Sequence, residues 1–182
     1  MTLTVVLHGV ESTGKSVLAQ RLANRFATTW TPEYGRAYAE RHGVDMDEAD
    51  LRLIGQTQAR MIEAAQGSAR HLLIADTDSL MTAAWAQMMI GHIPGDLLSC
   101  PKADLYLLME PDVPWMADPV RIYGDPSVRR RFAAICRDIL DRADVPQVTI
   151  SGDWDARFDS AVRAIRAMAI EKLGFDLDAE TG

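Results

Sequence analysis

One eight-residue motif near the start of the chain restricts its fold more than any other feature. Residues 9–16 read Gly-Val-Glu-Ser-Thr-Gly-Lys-Ser, which matches the pattern G-x-x-x-x-G-K-[ST]. A β-branched apolar run at residues 4–8 precedes the motif, and residues 17–26 follow it with apolar side chains one helical turn apart. A strand, a glycine loop and a helix N-terminus in this order wrap backbone N–H groups around a polyphosphate. The motif therefore predicts a P-loop that binds a nucleoside triphosphate.

The residue types inside the motif have separate chemical roles. Gly9 and Gly14 allow a backbone conformation and a close approach that a Cβ would obstruct. Lys15 is expected to reach the β- and γ-phosphates, and the Ser16 hydroxyl is expected to bind Mg²⁺, so ATP and Mg²⁺ are the predicted cofactors. The residues predicted to contact the nucleotide within the loop are Gly9, Glu11, Ser12, Thr13, Gly14, Lys15, Ser16 and Val17.

Composition and charge are those of an ordinary globular protein. The 182 residues suit one domain, with 48% apolar and 25% charged residues. A net charge of −7 argues against nucleic acid or an anionic membrane as a partner. No apolar run approaches the roughly 18 residues of a membrane span, and the first strand begins too early to leave room for a signal peptide. Because Cys100 and Cys136 also lack metal-site spacing, we expect a cytoplasmic protein with reduced thiols.

Short apolar runs alternate with segments of helical periodicity along the rest of the chain. This alternation predicts an α/β fold, in which a five-stranded parallel sheet carries helices on both faces through right-handed crossovers. The predicted strands are residues 3–8, 28–31, 71–76, 105–109 and 147–150. The predicted helices are residues 14–27, a short helix that follows a loop from 33 and ends near 42, a helix with a capping box at 45–48 that ends near 68, then 79–90, 125–142 and a last helix around 158–168.

Carboxylates follow two of the predicted strands, at the edge of a parallel sheet where ligands bind. Asp76 ends an apolar strand, which is the position of a carboxylate that holds Mg²⁺ beside a P-loop. Asp78 either shares that side of the sheet or caps the next helix. Glu33 follows the second strand, and both Glu33 and Asp76 fit the base that accepts a proton from an attacking hydroxyl. Arg36 either faces the substrate or pairs with Glu33.

An arginine-rich segment without periodicity precedes the helix that begins at Asp125-Pro126. We interpret about residues 115–131 as a lid that closes over the transferring phosphoryl group, supplies positive charge and excludes water. One or two of its arginines are expected to face phosphate, and Arg121 is the preferred one. The arginines of this segment are Arg121, Arg129, Arg130 and Arg131.

Aromatic residues offer several surfaces on which a planar or cationic ring could stack. Trp30, Tyr34 and Trp115 lie near predicted strand ends, where such a ring would bind. Trp85 lies inside an apolar helix and is interpreted as a core residue.

The motifs in this order resemble the ribosylnicotinamide kinase domain of the NadR family, over about residues 4–170. The P-loop alone is generic, whereas the later motifs are more specific to that domain. They are G-x-E-S-[ST]-G-K-S at 9–16, Glu33-Tyr34-Gly35-Arg36, Asp76-Thr77-Asp78, Pro114-Trp115-x-Ala117-Asp118 followed by Arg121, and Asp155-x-Arg157-Phe158.

The resemblance implies a P-loop kinase fold and an ATP-dependent kinase acting on the ribose 5′-hydroxyl of nicotinamide riboside, with nicotinamide mononucleotide and ADP as products. It implies that Lys15, Asp76, Glu33 and Arg121 are catalytic, and that Ser16 and Asp76 hold Mg²⁺. Arg157 is assigned to the ATP side of the cleft. An aromatic stack and an acidic neighbour would suit the cationic nicotinamide ring. The residues assigned to the riboside side are Glu33, Tyr34, Arg36, Asp78, Trp115 and Asp118.

The chain also departs from the NadR pattern. NadR proteins are usually longer, with an adenylyltransferase domain before the kinase, whereas strand one here begins at residue 3. We therefore expect a kinase domain at 1–173 without that partner domain, and a loose acidic tail at 174–182. Another nucleoside or metabolite kinase is the first alternative. An AAA-like ATPase or regulatory ATP-binding module is the second, although little length remains for its helical lid domain. A homodimer is possible, but no residue marks its interface.

Overall fold

A computed structural model describes residues 2–177, which contain five strands and seven helices. The strands are β1 (Leu3–His8), β2 (Thr29–Thr31), β3 (Leu72–Asp76), β4 (Leu105–Met109) and β5 (Gln147–Ile150). The helices are α1 (Lys15–Arg25), α2 (Tyr34–His42), α3 (Glu48–Gln66), α4 (Ser79–Met89), α5 (Gly95–Ser99), α6 (Pro126–Ala143) and α7 (Trp154–Leu173).

The strands form one sheet in the order β2-β3-β1-β4-β5, and every neighbouring pair is parallel. The central strand β1 pairs in register with β3 from Leu3 opposite Leu72 to Leu7 opposite Asp76. Because β1 and β3 are adjacent and parallel, the P-loop and the segment after Asp76 leave the sheet at the same edge. The predicted α/β fold with a five-stranded parallel sheet is confirmed.

Helices cover both faces of the sheet, as predicted, and the alternation of β1 residues shows why. Val5 and Leu7 pack in one apolar cluster with residues of α1 and α7, such as Leu22 and Ile165. Val6 packs in the other cluster with residues of α3, α4 and α6. Side chains alternate across a strand, so a continuous apolar run such as β1 is required when both faces are covered.

The structure corrects the predicted connection between β2 and α3. Glu33 occupies the N-cap position of α2, which begins at Tyr34 with no intervening loop. The capping box of α3 is formed by Asp47 and Asp50 instead of residues 45–48, and each carboxylate accepts a 3.0 Å hydrogen bond from the other residue's backbone N–H. The shorter Asp side chain therefore replaces the Glu or Gln that the sequence pattern requires at this position.

Two further differences lie in the second half of the chain. Helix α5 was not predicted, and α7 begins at Trp154, four residues earlier than its apolar period indicated. Within the segment expected to form an acidic tail, Phe175 packs edge-on against His71 and Asp176 pairs with Arg166. The remaining tail residues, 178–182, lie outside the described part of the chain. Within residues 2–177, no helix is both long and apolar enough to span a bilayer.

Candidate active site

A cavity of about 160 Å³ opens where β1, β2 and β3 end. Its polar side is formed by the P-loop, by the start of α2 and by the lid segment. Its apolar side extends between α2, α3 and α4. The polar lining residues include Glu11, Ser12, Thr13, Lys15, Ser16, Glu33, Arg36 and Arg121. The apolar lining residues include Val44, Met46, Leu51, Ile54, Met81, Trp85, Met89, Val120 and Ile122.

The P-loop has the conformation that its glycines predict. Gly14 has φ +83°, in the left-handed region that favours glycine, and directly precedes α1. The Lys15 ammonium group donates a 2.9 Å hydrogen bond to the Val10 carbonyl, and the Thr13 hydroxyl donates one of 2.8 Å to the same oxygen. The lysine therefore folds over its own loop, where its charge faces the space enclosed by the backbone N–H groups.

Ser16, which lines the cavity, contacts Asp76 at the end of β3. The Ser16 hydroxyl donates a 2.5 Å hydrogen bond to Asp76 Oδ2. Asp76 Oδ1 is buried and has no hydrogen-bond partner among the described residues. A hydroxyl and a carboxylate with a free, buried oxygen form a hard oxygen donor set that fits Mg²⁺ beside a polyphosphate.

The carboxylates of Glu33 and Asp76 both have raised pKa values. Burial and then the charge of Asp76 raise the pKa of Glu33 to about 7, although Lys15 and Arg36 oppose the shift. Burial also raises the pKa of Asp76, while Lys15 and the Ser16 hydrogen bond lower it. A carboxylate with a pKa near neutrality can take up or release a proton at physiological pH, as a general base must.

Two buried arginines hold the backbone of the P-loop in place. Arg157 donates to the carbonyls of Gly152 (2.7 Å), Glu110 (3.0 Å) and Thr13 (3.4 Å), and it also pairs with Asp112. Arg129 donates to the Ser12 carbonyl at 3.1 Å and to the Val113 carbonyl at 2.9 Å. These guanidinium groups bind consecutive P-loop carbonyls, so they orient the loop without lining the cavity.

The lid segment is attached to the P-loop by hydrogen bonds. One carboxylate oxygen of Glu11 accepts from the backbone N–H groups of Ile122 (2.9 Å) and Tyr123 (2.7 Å). The Ser12 hydroxyl accepts from the Met116 N–H at 2.8 Å. Glu11 therefore connects the nucleotide loop to the segment that carries Arg121.

Ion pairs attach the lid segment to α2 on the opposite side of the cleft. Asp118 pairs with Arg36 of α2 at 3.0 Å and with Arg121 at 3.1 Å. Of the two roles considered for Arg36, an ion pair with Glu33 is not seen among the described residues. Arg36 lines the cavity and pairs with Asp118 and, at 3.0 Å, with Glu40. Arg121 lines the cavity, whereas Arg129 is buried and Arg130 and Arg131 are exposed.

Comparisons with known proteins agree with this geometry. Residues 4–157 match a family model described as AAA domain. The chain belongs to this family. Over 177 residues it is 32% identical to the trifunctional NAD biosynthesis/regulator protein NadR of Escherichia coli (strain K12), and equally to that of Salmonella typhimurium. The alignments cover 93% of this AAA-domain chain, which spans only 43% of the length of these relatives. The resemblance to the NadR family is thereby confirmed.

Solved structures share the fold of this AAA-domain chain at low sequence identity. NadR in complex with NR has a TM-score of 0.71 and 20% identity over 96% of this chain and 52% of its own. NadR in complex with NAD and AMP-PNP has a TM-score of 0.73 and 20% sequence identity, and the match covers 96% of this chain and 50% of that chain. Thymidylate kinase from Ehrlichia chaffeensis has a TM-score of 0.65 and 12% sequence identity, and the match covers 92% of this chain and 98% of that chain. The expectation of a P-loop kinase fold is confirmed.

Several predicted site residues lie away from the cavity. Asp78 is buried and caps α4, because its carboxylate accepts from Leu80 N–H (2.9 Å) and also from the Tyr106 hydroxyl (2.6 Å). Of the two roles open to it, capping is therefore the one observed. At Gly9, a Cβ would lie 2.8 Å from the Met109 carbonyl, so glycine is needed there for strand packing.

The predicted aromatic surfaces also lie outside the cavity lining. Trp115 packs against Gly124, where an added Cβ would lie 2.8 Å from the indole ring. Tyr34 is fixed at the start of α2, where its N–H donates to Gln58 Oε1 at 2.8 Å. Neither ring lines the cavity, and Asp118 and Arg157 contact it only through the partners described above.

The aromatic residue that does line the cavity, Trp85, was interpreted from sequence as core. Its ring stacks on Tyr123 with centroids 5.5 Å apart and packs edge-on against Phe132, yet the side chain remains only partly buried. Helical periodicity identifies the apolar face of α4, but it does not indicate that part of this face borders a cavity.

Proposed function

We propose that this chain is an ATP-dependent kinase that phosphorylates the ribose 5′-hydroxyl of nicotinamide riboside, giving nicotinamide mononucleotide and ADP. The proposal rests on one observation above all: a P-loop with a hydroxyl and carboxylate pair opens directly into an apolar compartment, and Glu33 lines the same cavity. The 32% sequence identity to NadR, in an alignment that covers 93% of this chain, supports nicotinamide riboside as the substrate.

In the proposed reaction, the substrate hydroxyl oxygen attacks the γ-phosphorus of ATP, and the bond to the β,γ-bridging oxygen breaks to release ADP. Glu33 accepts the hydroxyl proton, for which a pKa of about 7 is suitable near neutral pH. Lys15 and Arg121, which both line the cavity, neutralise charge on the phosphates as the bond to the leaving group weakens.

Ser16 and Asp76 would hold Mg²⁺ in this scheme. When bound, the ion would neutralise charge on the β- and γ-phosphate oxygens. The buried and unpartnered Asp76 Oδ1 supports this assignment, because a buried carboxylate oxygen without a partner is costly in the absence of a cation or donor.

The apolar compartment fits a flat ring that carries a positive charge. It is lined by the indole of Trp85 and by the thioethers of Met46, Met81 and Met89, all of which contact planar rings favourably. Glu33 supplies an acidic group in the same cavity. This compartment replaces the predicted surfaces of Tyr34 and Trp115 as the candidate site for the nicotinamide ring.

The decisive experiment measures ADP release with nicotinamide riboside, with a panel of other nucleosides and without acceptor. We expect nicotinamide riboside to stimulate ADP release most strongly and the mononucleotide to appear in equal amount by mass spectrometry. Stronger stimulation by thymidine, cytidine or deoxyadenosine would overturn the assignment of nicotinamide riboside as the substrate, but the protein would still be a nucleoside kinase. Turnover that no acceptor stimulates would favour the alternative of an AAA-type ATPase.

A further inference from the structure

A tryptophan next to the P-loop has no role in the scheme above. Trp154 is the first residue of α7, and 53% of its surface is exposed. Its six-membered ring lies against Gly14, where an added Cβ would be 2.5 Å from Trp154 Cζ3. Gly14 immediately precedes Lys15, so a large aromatic surface borders the phosphate-binding loop and remains open to solvent.

Contacts of Asp153 and Arg157 fix the position of the Trp154 ring. Asp153 caps α7 by accepting hydrogen bonds from the N–H groups of Asp155 (3.1 Å) and Ala156 (2.8 Å). The guanidinium carbon of Arg157 lies 5.8 Å from the centre of the indole, and the same guanidinium binds the Thr13 carbonyl. Trp154 is thus anchored to the P-loop through a buried arginine, and a preorganised surface of this kind loses little entropy on binding.

Other exposed apolar side chains adjoin the same loop. Val17 lies one helical turn after Gly14 on α1 and is 62% exposed. Met116 is 66% exposed, and its N–H is bound to the Ser12 hydroxyl. Apolar surface is therefore exposed at residues that contact the loop or follow it directly, where a bound ligand would remove this surface from water.

We propose that Trp154 is the platform on which the nucleobase of the phosphate donor stacks. The inference rests on the proposed function only in requiring a nucleoside triphosphate in the P-loop. A donor whose γ-phosphate points toward Glu33 and the enclosed apolar compartment must extend its base away from that compartment, past the margin of the loop. Stacking of one base on an aromatic side chain strengthens binding by roughly 10- to 100-fold, and it tolerates any base because each has a π face.

Calorimetric binding of two ligands, ADP and inorganic tripolyphosphate, tests the platform in the full chain. We expect Trp154→Ala to weaken ADP by at least tenfold and to leave tripolyphosphate unchanged, since tripolyphosphate has no base. Trp154→Phe should keep most of the ADP affinity, whereas Trp154→Leu, which keeps apolar bulk without a ring, should lose it. If Trp154→Ala does not fold, the Phe and Leu variants carry the same comparison.

Equal weakening of both ligands would overturn the proposal, because it would mean that Trp154 only supports Gly14. Unchanged ADP affinity in the Ala or Leu variant would overturn it as well. Neither measurement needs an acceptor, so failure of nicotinamide riboside as a substrate leaves this test intact. With an active acceptor, the KM for ATP should rise in Trp154→Leu while the KM for the acceptor stays constant.

Discussion

The P-loop wall of the cleft and the lid wall are held by different kinds of contact. The P-loop carbonyls of Ser12 and Thr13 bind the guanidinium groups of Arg129 and Arg157, which are both buried. The lid segment is joined to α2 by the ion pair of Arg36 with Asp118, whose arginine is partly exposed. Hydrogen bonds to buried charged groups are costly to break, whereas exposed ion pairs contribute about 0–1 kcal/mol each.

The difference separates two structural requirements. A loop that presents backbone N–H groups to phosphate works best when its geometry is set before the ligand arrives. A lid that admits substrate has to open at small cost. Substitutions behind the P-loop should therefore lower stability, and substitutions at the lid contacts should change kinetic constants with little effect on stability.

Lys15→Ala should give the largest kinetic effect. The ammonium group folds over the P-loop, and its only hydrogen bond given by the described structure goes to the Val10 carbonyl. Loss of this cation should lower turnover by roughly 10³-fold, as for other preorganised donors to a transition state. The urea-unfolding midpoint should stay near that of the parent protein. Turnover at the parent rate would show that the loop is not the phosphate site.

Arg157→Met should give the largest effect on stability. The side chain is 1% exposed, and its removal leaves the carbonyls of Thr13, Glu110 and Gly152 without this donor. We expect the free energy of unfolding to fall by about 3 kcal/mol, measured by urea titration. Arg163→Met on the exposed surface of α7 is the matched control and should change it by less than about 0.5 kcal/mol. Equal effects of the two substitutions would show that the buried contacts of Arg157 behind the P-loop add nothing to stability beyond those of an exposed arginine.

The P-loop wall was largely predictable from sequence because its parts are adjacent in the chain. The strand, the loop and α1 follow one another, and the Asp76 carboxylate ends a neighbouring strand, so a linear pattern specifies their contact. The sequence pattern does not distinguish the arginines that are buried from those that line the cavity. Arg121 and Arg129 are eight positions apart in one arginine-rich segment, and only the packing of α6 shows that one lines the cavity and the other is buried.

The acceptor side was predicted less well, since it depends on the direction of side chains. Asp78 lies two residues after Asp76, but it turns away to cap α4 and bind Tyr106. Trp115 follows a strand end, yet it packs on Gly124. Trp85 lies on an apolar helical period that does not distinguish a cavity wall from a closed core. These outcomes are set by tertiary packing, which no local pattern encodes.

The pH dependence of kcat/KM tests the proposed role of Glu33 as the base. Burial and the Asp76 charge raise the pKa of Glu33 to about 7, so below that pH the carboxyl retains its proton and cannot accept another. We expect kcat/KM for the acceptor to rise with pH up to about 7 and then to level off. Glu33→Gln should abolish this rise and lower turnover by roughly 10²-fold.

The corresponding control is Asp76→Asn, which should lower turnover and keep a rise with pH, but at lower pH, because the charge of Asp76 no longer raises the pKa of Glu33. If only Asp76→Asn abolished the rise with pH, Asp76 would be the base and Glu33 would be left with a binding role. Measuring both variants under saturating Mg²⁺ separates loss of the base from loss of a metal ligand.

The smallest effects should come from two of the lid contacts, those of Glu11 and Asp118, which can be ranked against each other. Glu11 accepts two backbone N–H groups of the lid with one oxygen and is partly buried. Glu11→Ala should lower kcat/KM by about tenfold, in line with loss of hydrogen bonds to a charged group, and Glu11→Gln should restore part of it because an amide oxygen still accepts. Asp118→Asn weakens a pair with a partly exposed arginine and should change kcat/KM by no more than about threefold.

Salt gives an independent check on that order. Ion pairs near solvent are screened at high ionic strength, so 0.5 M NaCl should reduce the difference between Asp118→Asn and the parent protein. The Glu11→Ala defect should persist, because hydrogen bonds between a partly buried carboxylate and backbone N–H groups are screened much less. A larger defect in Asp118→Asn than in Glu11→Ala would mean that the ion pairs to α2, rather than the P-loop glutamate, hold Arg121 over the cavity.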